Sequence, residues 1–437
     1  MNWEAVYKAL LGVFTFFGLC PIRNRNFEKS RIAAINFTFL LWSGFHFIFA
    51  VFVVVVAVQA FVHDTNNVTD FNNILKFSVC ALTHLVTVIE SVYVRKNFIE
   101  IWSRVYLIDE MIGKILQDYQ ETRMNFFKAT SRKIIISMLL TVFIELTIIT
   151  NIQEVKDWSL IWWILIIPLS MSRMRHLQHT LYIDLLASRF RTIKNELNQI
   201  VKFTKLEHNK IIPRNFNFYD GLFKRINTIK SVYNTLWETS LFINRSFGLS
   251  QLVNLLQNFI QLTCDLYLVY SFLYNNNLTY IIELVLQLCP TVIILILVLN
   301  ACEDCLEQVR YIGFLLHNIE KDVEDQRINT LAENFSLQIL HEPMIFSVSG
   351  FFQMDFMFAK SIIAGITTYM VIFIQFMPKD NSTANSKPYQ MLKTREGYVP
   401  VYIRFGDQPL ADINPDLAEA FGEVHEISPR NIKNASI

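Results

Sequence analysis

The stretch GFFQMDFMFAKSIIAGITTYMVIFIQF, residues Gly350 to Phe376, is long and apolar enough to cross a lipid bilayer. A bilayer core takes about 20 consecutive, mostly apolar residues in helical form. Residues at steps of four, three, four and three form a small and polar row on one face of this helix: Ser361, Gly365, Thr368, Ile372 and Gln375. Because polar atoms in lipid need a partner helix or water, the row predicts either packing through small residues or a pore lining.

The composition of the whole chain agrees with a membrane protein. Of 437 residues, 52% are hydrophobic and only 18% are charged, whereas soluble domains carry more charge and fewer than the 37 phenylalanines found here. The net charge of +1 gives no indication of nucleic-acid binding, which would require a basic face. Glycine and proline are scarce, which favours long helices over strands and turns. We therefore expect an all-α polytopic membrane protein that embeds in the lipid bilayer.

Seven stretches reach or approach the length of a membrane span. The second is the weakest, because Lys76, His84 and Glu90 interrupt it. A shorter apolar stretch, Ala5–Cys20, lacks a basic start and a cleavage site, so it predicts an interfacial helix rather than a signal peptide. The seven predicted transmembrane helices are Asn36–Val62, Phe71–Val94, Lys133–Asn151, Trp158–Ser172, Ser246–Tyr274, Leu278–Asn300 and Phe351–Phe376.

The distribution of lysine and arginine predicts the orientation of the chain. These residues cluster before the first span, between spans two and three, and between spans four and five, whereas residues 63–70, 152–157 and 275–277 contain a single lysine. Basic loops stay in the cytoplasm, so we expect a cytoplasmic N-terminus and an extracellular C-terminus. Glycosylation sequons at Asn67, Asn277 and Asn381 lie in segments predicted to be outside the cell.

Several spans are expected to continue into the cytoplasm as amphipathic helices. Leu222, Ile226, Ile229, Tyr233 and Leu236, for example, lie on one helical stripe ahead of span five. The sequence thus predicts three parts: a cytoplasmic segment at 1–35, a seven-helix domain at 36–376, and a polar, extracellular tail at 377–437. Residues 95–132, 173–245 and 301–350 of the seven-helix domain would form a helical bundle in the cytoplasm.

Motifs of enzymes and metal sites are missing from the sequence. It has no HExxH, no GxSxG and no glycine-rich phosphate loop, so we expect neither an enzyme nor a cofactor. Cys302 and Cys305 form a CxxC pair, but no second pair follows at zinc spacing, so no metal is predicted. Most of the six cysteines lie within or beside apolar runs, and none is in a segment predicted to be outside the cell, which argues against a disulfide framework.

The end of the chain's last span carries a recognisable pattern. Thr368–Phe376 reads TYMVIFIQF, and His341–Asp355 reads HEPMIFSVSGFFQMD. The first matches TYhhhhhQF, where h is hydrophobic, and both resemble the insect gustatory receptor family. The resemblance implies a tetrameric, non-selective cation channel in the plasma membrane of chemosensory neurons, opened directly by a small-molecule tastant. Such a receptor would assemble with copies of itself or with related receptors.

The resemblance also implies roles for residues of the last helix. Gln375 and Phe376 would lie at the extracellular gate of the pore, where an apolar ring can stop ions by excluding water. Ile372 and Thr368 would line the pore one and two turns deeper, and Tyr369 would anchor the helix against its neighbours.

Ionisable and aromatic residues in the outer halves of other spans suggest a ligand site. Buried charges in a membrane are costly and often functional. Together with aromatic rings, carboxylates could hold a polyhydroxylated or cationic organic molecule. The alternative is an aromatic belt at the membrane surface, with acids that bond neighbouring helices. The candidate ligand residues are Glu145, Trp162, Asp265, Tyr267, Tyr280 and Glu283.

Other classes of membrane protein remain as alternatives. A G-protein-coupled receptor would have an external N-terminus and a DRY-like triplet after span three, where this chain has Asn151, Ile152 and Gln153. A secondary transporter often shows repeated halves, and the sequence has no internal repeat. An odorant receptor is a further alternative.

Overall fold

The computed structural model describes residues 3–19, 37–63, 68–116, 119–151, 159–208, 216–274, 281–322 and 325–375, with the single residues Leu410, Ala418 and Phe421. The chain divides into two compact units, Met1–Ile374 and Gln375–Ile437. The first unit contains nearly all of the described residues and is almost entirely helical.

Helices and one short hairpin make up the described chain. The helices are α1 (Trp3–Phe16), α2 (Phe37–His63), α3 (Val68–Tyr93), α4 (Arg95–Ile115), α5 (Tyr119–Asn151), α6 (Ser159–His208), α7 (Phe216–Tyr274), α8 (Ile281–Asp322), α9 (Gln326–His341) and α10 (Phe356–Gln375). The strands β1 (Ser347–Val348) and β2 (Phe352–Gln353) pair antiparallel between α9 and α10.

The predicted all-α, multi-pass membrane fold is confirmed. Each predicted span falls on a helix, and α6 and α7, with 50 and 59 residues, extend far beyond the roughly 20 that cross a bilayer. Within the described residues, four stretches are long and apolar enough to span a membrane by themselves: Leu41–Gln59, Phe71–Tyr93, Val285–Ile319 and Phe356–Gln375.

The start of the last span differs from the prediction. We expected the helix to begin at Phe351, but residues up to Gln353 belong to the β1–β2 hairpin and α10 begins at Phe356. The turn of the hairpin places Ser349 at φ 50° and Gly350 at φ 79°, in the left-handed region that interrupts a helix. Asp355 then caps α10, since its Oδ1 accepts a hydrogen bond of 2.8 Å from the amide of Phe358.

The largest hydrophobic core lies mostly outside the predicted spans and reaches into spans five and six at Phe247, Leu255, Val298 and Leu299. It joins α4 and α9 to the parts of α6, α7 and α8 that were expected to leave the membrane, and we call this assembly the helical bundle. Its centre is aromatic: the ring of Tyr233 contacts Phe190 at 5.7 Å and Phe335 at 5.2 Å between centroids. The predicted stripe from Leu222 to Leu236 is buried here, as its helical spacing requires.

Candidate functional site

Helix α10 is the least buried of the four stretches that could span a membrane by themselves. None of its 20 residues is buried by the described chain, although its sequence is mostly apolar. Ile363, for example, exposes 65% of its surface, and Val371 exposes 51%. An apolar helix with so few contacts in its own chain must meet lipid or further protein, because large apolar surfaces are not left in water.

One face of α10 packs on α7. The ring of Tyr369 contacts Phe259 edge-on at 5.7 Å, and the ring of Phe373 contacts Tyr267 at 5.4 Å. Tyr267, which we considered as a ligand residue, is buried in this contact. Gly365 lies at the edge of the same face, where an added Cβ would come within 3.0 Å of the Phe259 ring.

The small and polar row of α10 therefore divides between two surroundings. Gly365 allows close approach to α7, as small residues do between membrane helices. Ser361, Thr368, Ile372 and Gln375 are exposed. Phe376, the other predicted gate residue, lies outside the described residues.

The hydroxyl groups of the exposed row donate their protons to α10 itself. The Ser361 hydroxyl donates to the Met357 carbonyl at 3.1 Å, and the Thr368 hydroxyl donates to the Ala364 carbonyl at 2.9 Å. The hydroxyl oxygens keep free lone pairs that point outward and can accept but not donate. Such a surface suits cations or water better than anions.

The two described carboxylates of the predicted ligand site are paired with cations. Glu145 in α5 accepts a hydrogen bond from Arg173 in α6, and both side chains are buried. Asp265 in α7 pairs with Lys76 in α3 at 2.8 Å. The carboxylates thus join neighbouring helices, which was the alternative to ligand contact. The pairing with Asp265 also explains how the charge of Lys76 is tolerated within the second predicted span.

Other predicted residues of the outer half have no described side chain. Trp162 and Glu283 lie in α6 and α8, and nothing is described beyond their backbone. Tyr280 and the sequons Asn67, Asn277 and Asn381 lie outside the described residues.

The structure also shows a buried polar row in α7 that our sequence reading missed. Its members are at most 8% exposed and step by three, four, three and four: Gln251, Asn254, Asn258, Gln261 and Asp265. The Ser172 hydroxyl donates to Asn254 Oδ1 at 2.8 Å, and Asn258 Nδ2 lies 3.1 Å from His176 Nε2. The same periodicity count that found the row in α10 would have found this one.

A small cavity opens beside this row between α6, α7 and α8. It has space for about one water molecule. Polar side chains from all three helices line it, among them Arg173, Gln261 and Thr291. Asn254 Nδ2 and Asp265 Oδ2 have no hydrogen-bond partner within the described chain, so the row retains unused bonding capacity.

The chain is similar to chemosensory receptors in sequence. The sequence model described as the 7tm chemosensory receptor matches residues 7–379. Gustatory receptor 2a of Drosophila melanogaster is 22% identical over 325 residues, which cover 68% of this chain and 75% of that receptor. Gustatory receptor 23a of the same fly is 28% identical over 178 residues, covering 38% of this chain and 45% of the relative.

Solved structures share the fold. The insect olfactory receptor OR5 from Machilis hrabei superposes with a TM-score of 0.63 over 86% of this chain and 98% of that chain, at 10% identity. The same receptor in complex with eugenol superposes with a TM-score of 0.61 over 86% and 100% of the two chains, also at 10% identity.

Proposed function

The chain belongs to the seven-transmembrane chemosensory receptor family, and from that premise we propose that it is a gustatory receptor acting as a ligand-gated, non-selective cation channel. This family consists of receptors and not of enzymes. The proposed channel lies in the plasma membrane of chemosensory neurons, with its N-terminus in the cytoplasm. It forms a tetramer with itself or with related receptors.

The observation that carries the proposal is the exposure of α10. One of its faces packs on α7, and another presents Ser361, Thr368 and Gln375 with no partner helix in the described part of the chain. Exposing these polar side chains to lipid is unfavourable, so this face meets water or other copies of the chain. Four copies around one axis satisfy both conditions, because their polar faces then enclose an aqueous pore.

The chemistry of the polar face favours cations. Its hydroxyl oxygens accept hydrogen bonds from water or coordinate a cation, since their protons are held by the helix backbone. The sequence from Ser361 to Gln375 contains no lysine or arginine that would repel a cation. Lys360 is one position away and therefore points about 100° from Ser361 around the helix.

Gln375 and Phe376 form the gate in this proposal. A ring of four phenylalanines would stop ions by excluding water, and rotation of α10 would bring the glutamine amide into the pore. Gln375→Ala or Phe376→Ala is expected to change the basal current or the ion permeability. If both variants conduct like the unmodified receptor, neither residue belongs to the gate.

The tastant site lies in the outer half of each subunit, beside the polar row of α7. Asp265, toward the outer end of this row, has an Oδ2 atom with no hydrogen-bond partner in the described chain, which could accept a hydrogen bond from a ligand. The cavity beside Gln261 has space for about one water molecule, so α6, α7 and α8 must separate to admit an organic tastant. Trp162, Tyr280 and Glu283 would complete the site from α6 and from the start of α8. Glu145 acts in this site only if a ligand displaces Arg173 from its carboxylate. Asp265 can act while Lys76 stays in place, because Lys76 pairs with Oδ1 and leaves Oδ2 available.

Adjacent threonines of α10 provide a direct test of the pore. Thr367 and Thr368 are both exposed, and each hydroxyl bonds to the carbonyl four residues earlier, at 2.8 and 2.9 Å. They point about 100° apart, so only Thr368 lies on the proposed pore face. In cells expressing Thr368→Cys, a cationic, water-soluble thiol reagent is expected to block most of the current. The same reagent should reduce the current of Thr367→Cys only slightly.

Equal block at both positions, or block at Thr367 alone, would show that the pore face is assigned wrongly. Currents that disappear when G-protein signalling is inhibited would instead support a G-protein-coupled receptor. The odorant receptor alternative rests on the fold shared with OR5, while the sequence relatives are gustatory receptors. Dissolved tastants and volatile odorants, applied separately to the expressed receptor, distinguish these two functions.

A further inference from the structure

One turn of α7 is held by charges from two other helices. Arg175 of α6 donates from Nη2 to the carbonyl oxygen of Ser246 at 2.7 Å. Glu90 of α3 accepts hydrogen bonds from the amides of Leu249 and Ser250 at 2.9 and 3.1 Å. Arg175 and Glu90 also pair with each other at 2.7 Å, and we call this ion pair the clamp.

The clamp acts on the two ends of one helical hydrogen bond. In an α-helix the amide of residue i bonds the carbonyl of residue i−4, so the Ser250 amide and the Ser246 carbonyl are regular partners. Here the carboxylate faces the amide, and the guanidinium faces the carbonyl. Each charge is therefore complementary to the backbone dipole that it meets.

The position of the clamp is fixed by further contacts around Arg175. Its Nε donates to the Ser250 hydroxyl at 2.9 Å, and its Nη1 donates to Gln178 Oε1 at 3.0 Å. The guanidinium also lies over the Phe247 ring, 4.2 Å from the centroid. A fully buried arginine is costly unless its donors are satisfied, and these contacts satisfy them. The arrangement is thus specific to this turn of α7.

The same turn of α7 supports the β1–β2 hairpin. Asn244 donates from Nδ2 to the carbonyl of Ile345 at 2.6 Å, and its Oδ1 lies 3.4 Å from the amide of Ser347. At Gly248, an added Cβ would come within 2.8 Å of the Ser349 hydroxyl oxygen. Residues 244–250 therefore contact the clamp and the hairpin together.

The hairpin in turn contacts the start of α10. The Met354 amide donates to the Phe346 carbonyl at 2.8 Å, which closes the base of the hairpin. The rings of Phe352 and Phe358 stack at 4.4 Å, joining the second strand to the first turn of α10. A displacement of the hairpin is thus passed directly to the start of α10.

We infer that Glu90 and Arg175 are positioning residues that couple the receptor's interior to the pore helix. The inference rests on the proposed function, since α3 and α6 lie beside the proposed tastant site and α10 lines the proposed pore. When α3 and α6 move relative to each other, the clamp opens and the 244–250 turn of α7 relaxes. The hairpin then shifts, and α10 takes a different position.

The backbone of α7 tolerates both states. When the clamp is closed, the Ser246 carbonyl and the Ser250 amide meet the charges of Arg175 and Glu90. The turn is regular α-helix in the closed state, so the Ser246 carbonyl and the Ser250 amide remain partners of each other when the clamp opens, and no backbone group is left without one. A segment with two satisfied arrangements is the kind of element that can carry a signal between sites.

The first experiment loosens the clamp and follows the hairpin in the purified full-length receptor. Glu90→Gln removes the negative charge that faces the two amides, and Arg175→Lys keeps the charge but loses the forked donor. We expect faster hydrogen exchange at residues 249–250 and at 347–353. In cells, the basal current per surface receptor should rise roughly tenfold, within the usual range of coupling between sites.

Arg189→Lys is the matched control. Arg189 is also a buried arginine of α6, and it pairs with Asp109 of α4 at 3.0 and 3.1 Å. The pair joins α6 to α4 rather than to the 244–250 turn, so its loss should leave hairpin exchange and basal current unchanged. Equal effects of Arg189→Lys and Arg175→Lys would mean that any buried pair stabilises the fold in this way, and would overturn the inference.

A charge exchange separates the clamp from an ordinary salt bridge. The double variant Glu90→Arg with Arg175→Glu keeps one positive and one negative charge at the site. It presents the wrong charge to each backbone group, so we expect it to behave like the single variants. Recovery of unmodified exchange rates and current would show that only the pairing of charges matters, which contradicts the inference.

A steric variant tests the second half of the coupling without altering the clamp. Gly248→Ala places a methyl group against the Ser349 hydroxyl and should shift the hairpin, raising the basal current. Ser349→Gly removes that hydroxyl and suits the positive φ of this residue, so the double variant should recover in part, with the backbone nitrogen of residue 349 still 3.3 Å from the added Cβ. If Gly248→Ala elutes as a folded receptor and its hairpin exchange and basal current are unchanged, this contact has no role in the coupling.

The two proposals fail separately. If hairpin exchange follows the clamp but the unmodified receptor carries no current, the channel function is wrong and the coupling stands. If the receptor conducts but the clamp variants leave hydrogen exchange in the hairpin unchanged, the coupling is wrong and the channel function stands.

Discussion

The helical bundle and α10 belong to the same chain but are stabilised in different ways. In the bundle, Phe190, Tyr233 and Phe335 are fully buried by residues of the chain itself. In α10, no residue reaches that degree of burial within the described chain. The bundle therefore holds the chain together, whereas α10 depends on what surrounds the chain. The gating role that we propose for α10 requires this difference, because a helix with few contacts in its own chain can change position.

The strongest test of this comparison removes a large side chain from each region. Phe335→Ala empties a fully buried aromatic site beside Tyr233, and the free energy of unfolding should fall by about 3–5 kcal/mol. Val371→Ala in α10 removes a half-exposed side chain, so it should change that free energy by less than about 0.5 kcal/mol. Thermal melting of the solubilised receptor measures both, and equal losses would refute the division between the regions.

A smaller effect is expected where α10 meets α7. Gly365→Leu would drive its side chain into the Phe259 ring, at a cost of about 1–3 kcal/mol on that contact. Because few other contacts hold α10, we expect the helix to shift and the basal current to change, with little change in the melting of the bundle. Phe259→Ala should relieve the clash and restore the current in the double variant. A lower melting temperature with unaltered current would place the strain in the bundle instead.

The smallest effect is expected from a helix cap within the bundle, which should change the stability but not the current. Asp325 caps α9, because its Oδ1 accepts a hydrogen bond of 2.8 Å from the amide of Arg327. Asp325→Ala should lower the stability of the bundle by about 1 kcal/mol and leave the current unchanged. Glu333→Ala, at an exposed position of the same helix, is the control and should melt like the unmodified receptor. A change in current without a change in melting would contradict the separation.

The sequence predicted the helices well because hydrophobic periodicity is a local property. The stripe from Leu222 to Leu236 was placed correctly, since spacing along one helix defines its buried face. The start of α10 was misplaced, since Phe351 and Phe352 are as apolar as a span requires. The left-handed backbone at Ser349 and Gly350, which forms the hairpin, has no hydrophobic signal.

The candidate sites were harder to predict because they depend on contacts between distant residues. Lys76 weakened the second span as a sequence feature, yet it pairs with Asp265, which lies 189 residues later. Gly365 belongs to the polar row by its spacing. Only the contact with Phe259 in the structure shows that it lies against α7 and not on the exposed face. Helical periodicity gives the direction of a side chain around its own helix but does not identify the group on the other side.

The most direct test of the central claim is cation flux through the purified receptor in liposomes that contain no other protein. We predict sodium and potassium uptake above that of empty liposomes, reduced when Thr368→Cys is modified by a cationic thiol reagent and retained for Thr367→Cys. Reconstituted receptor that is folded and tetrameric, yet passes no more cation than the empty liposomes under any tastant tested, would contradict the account.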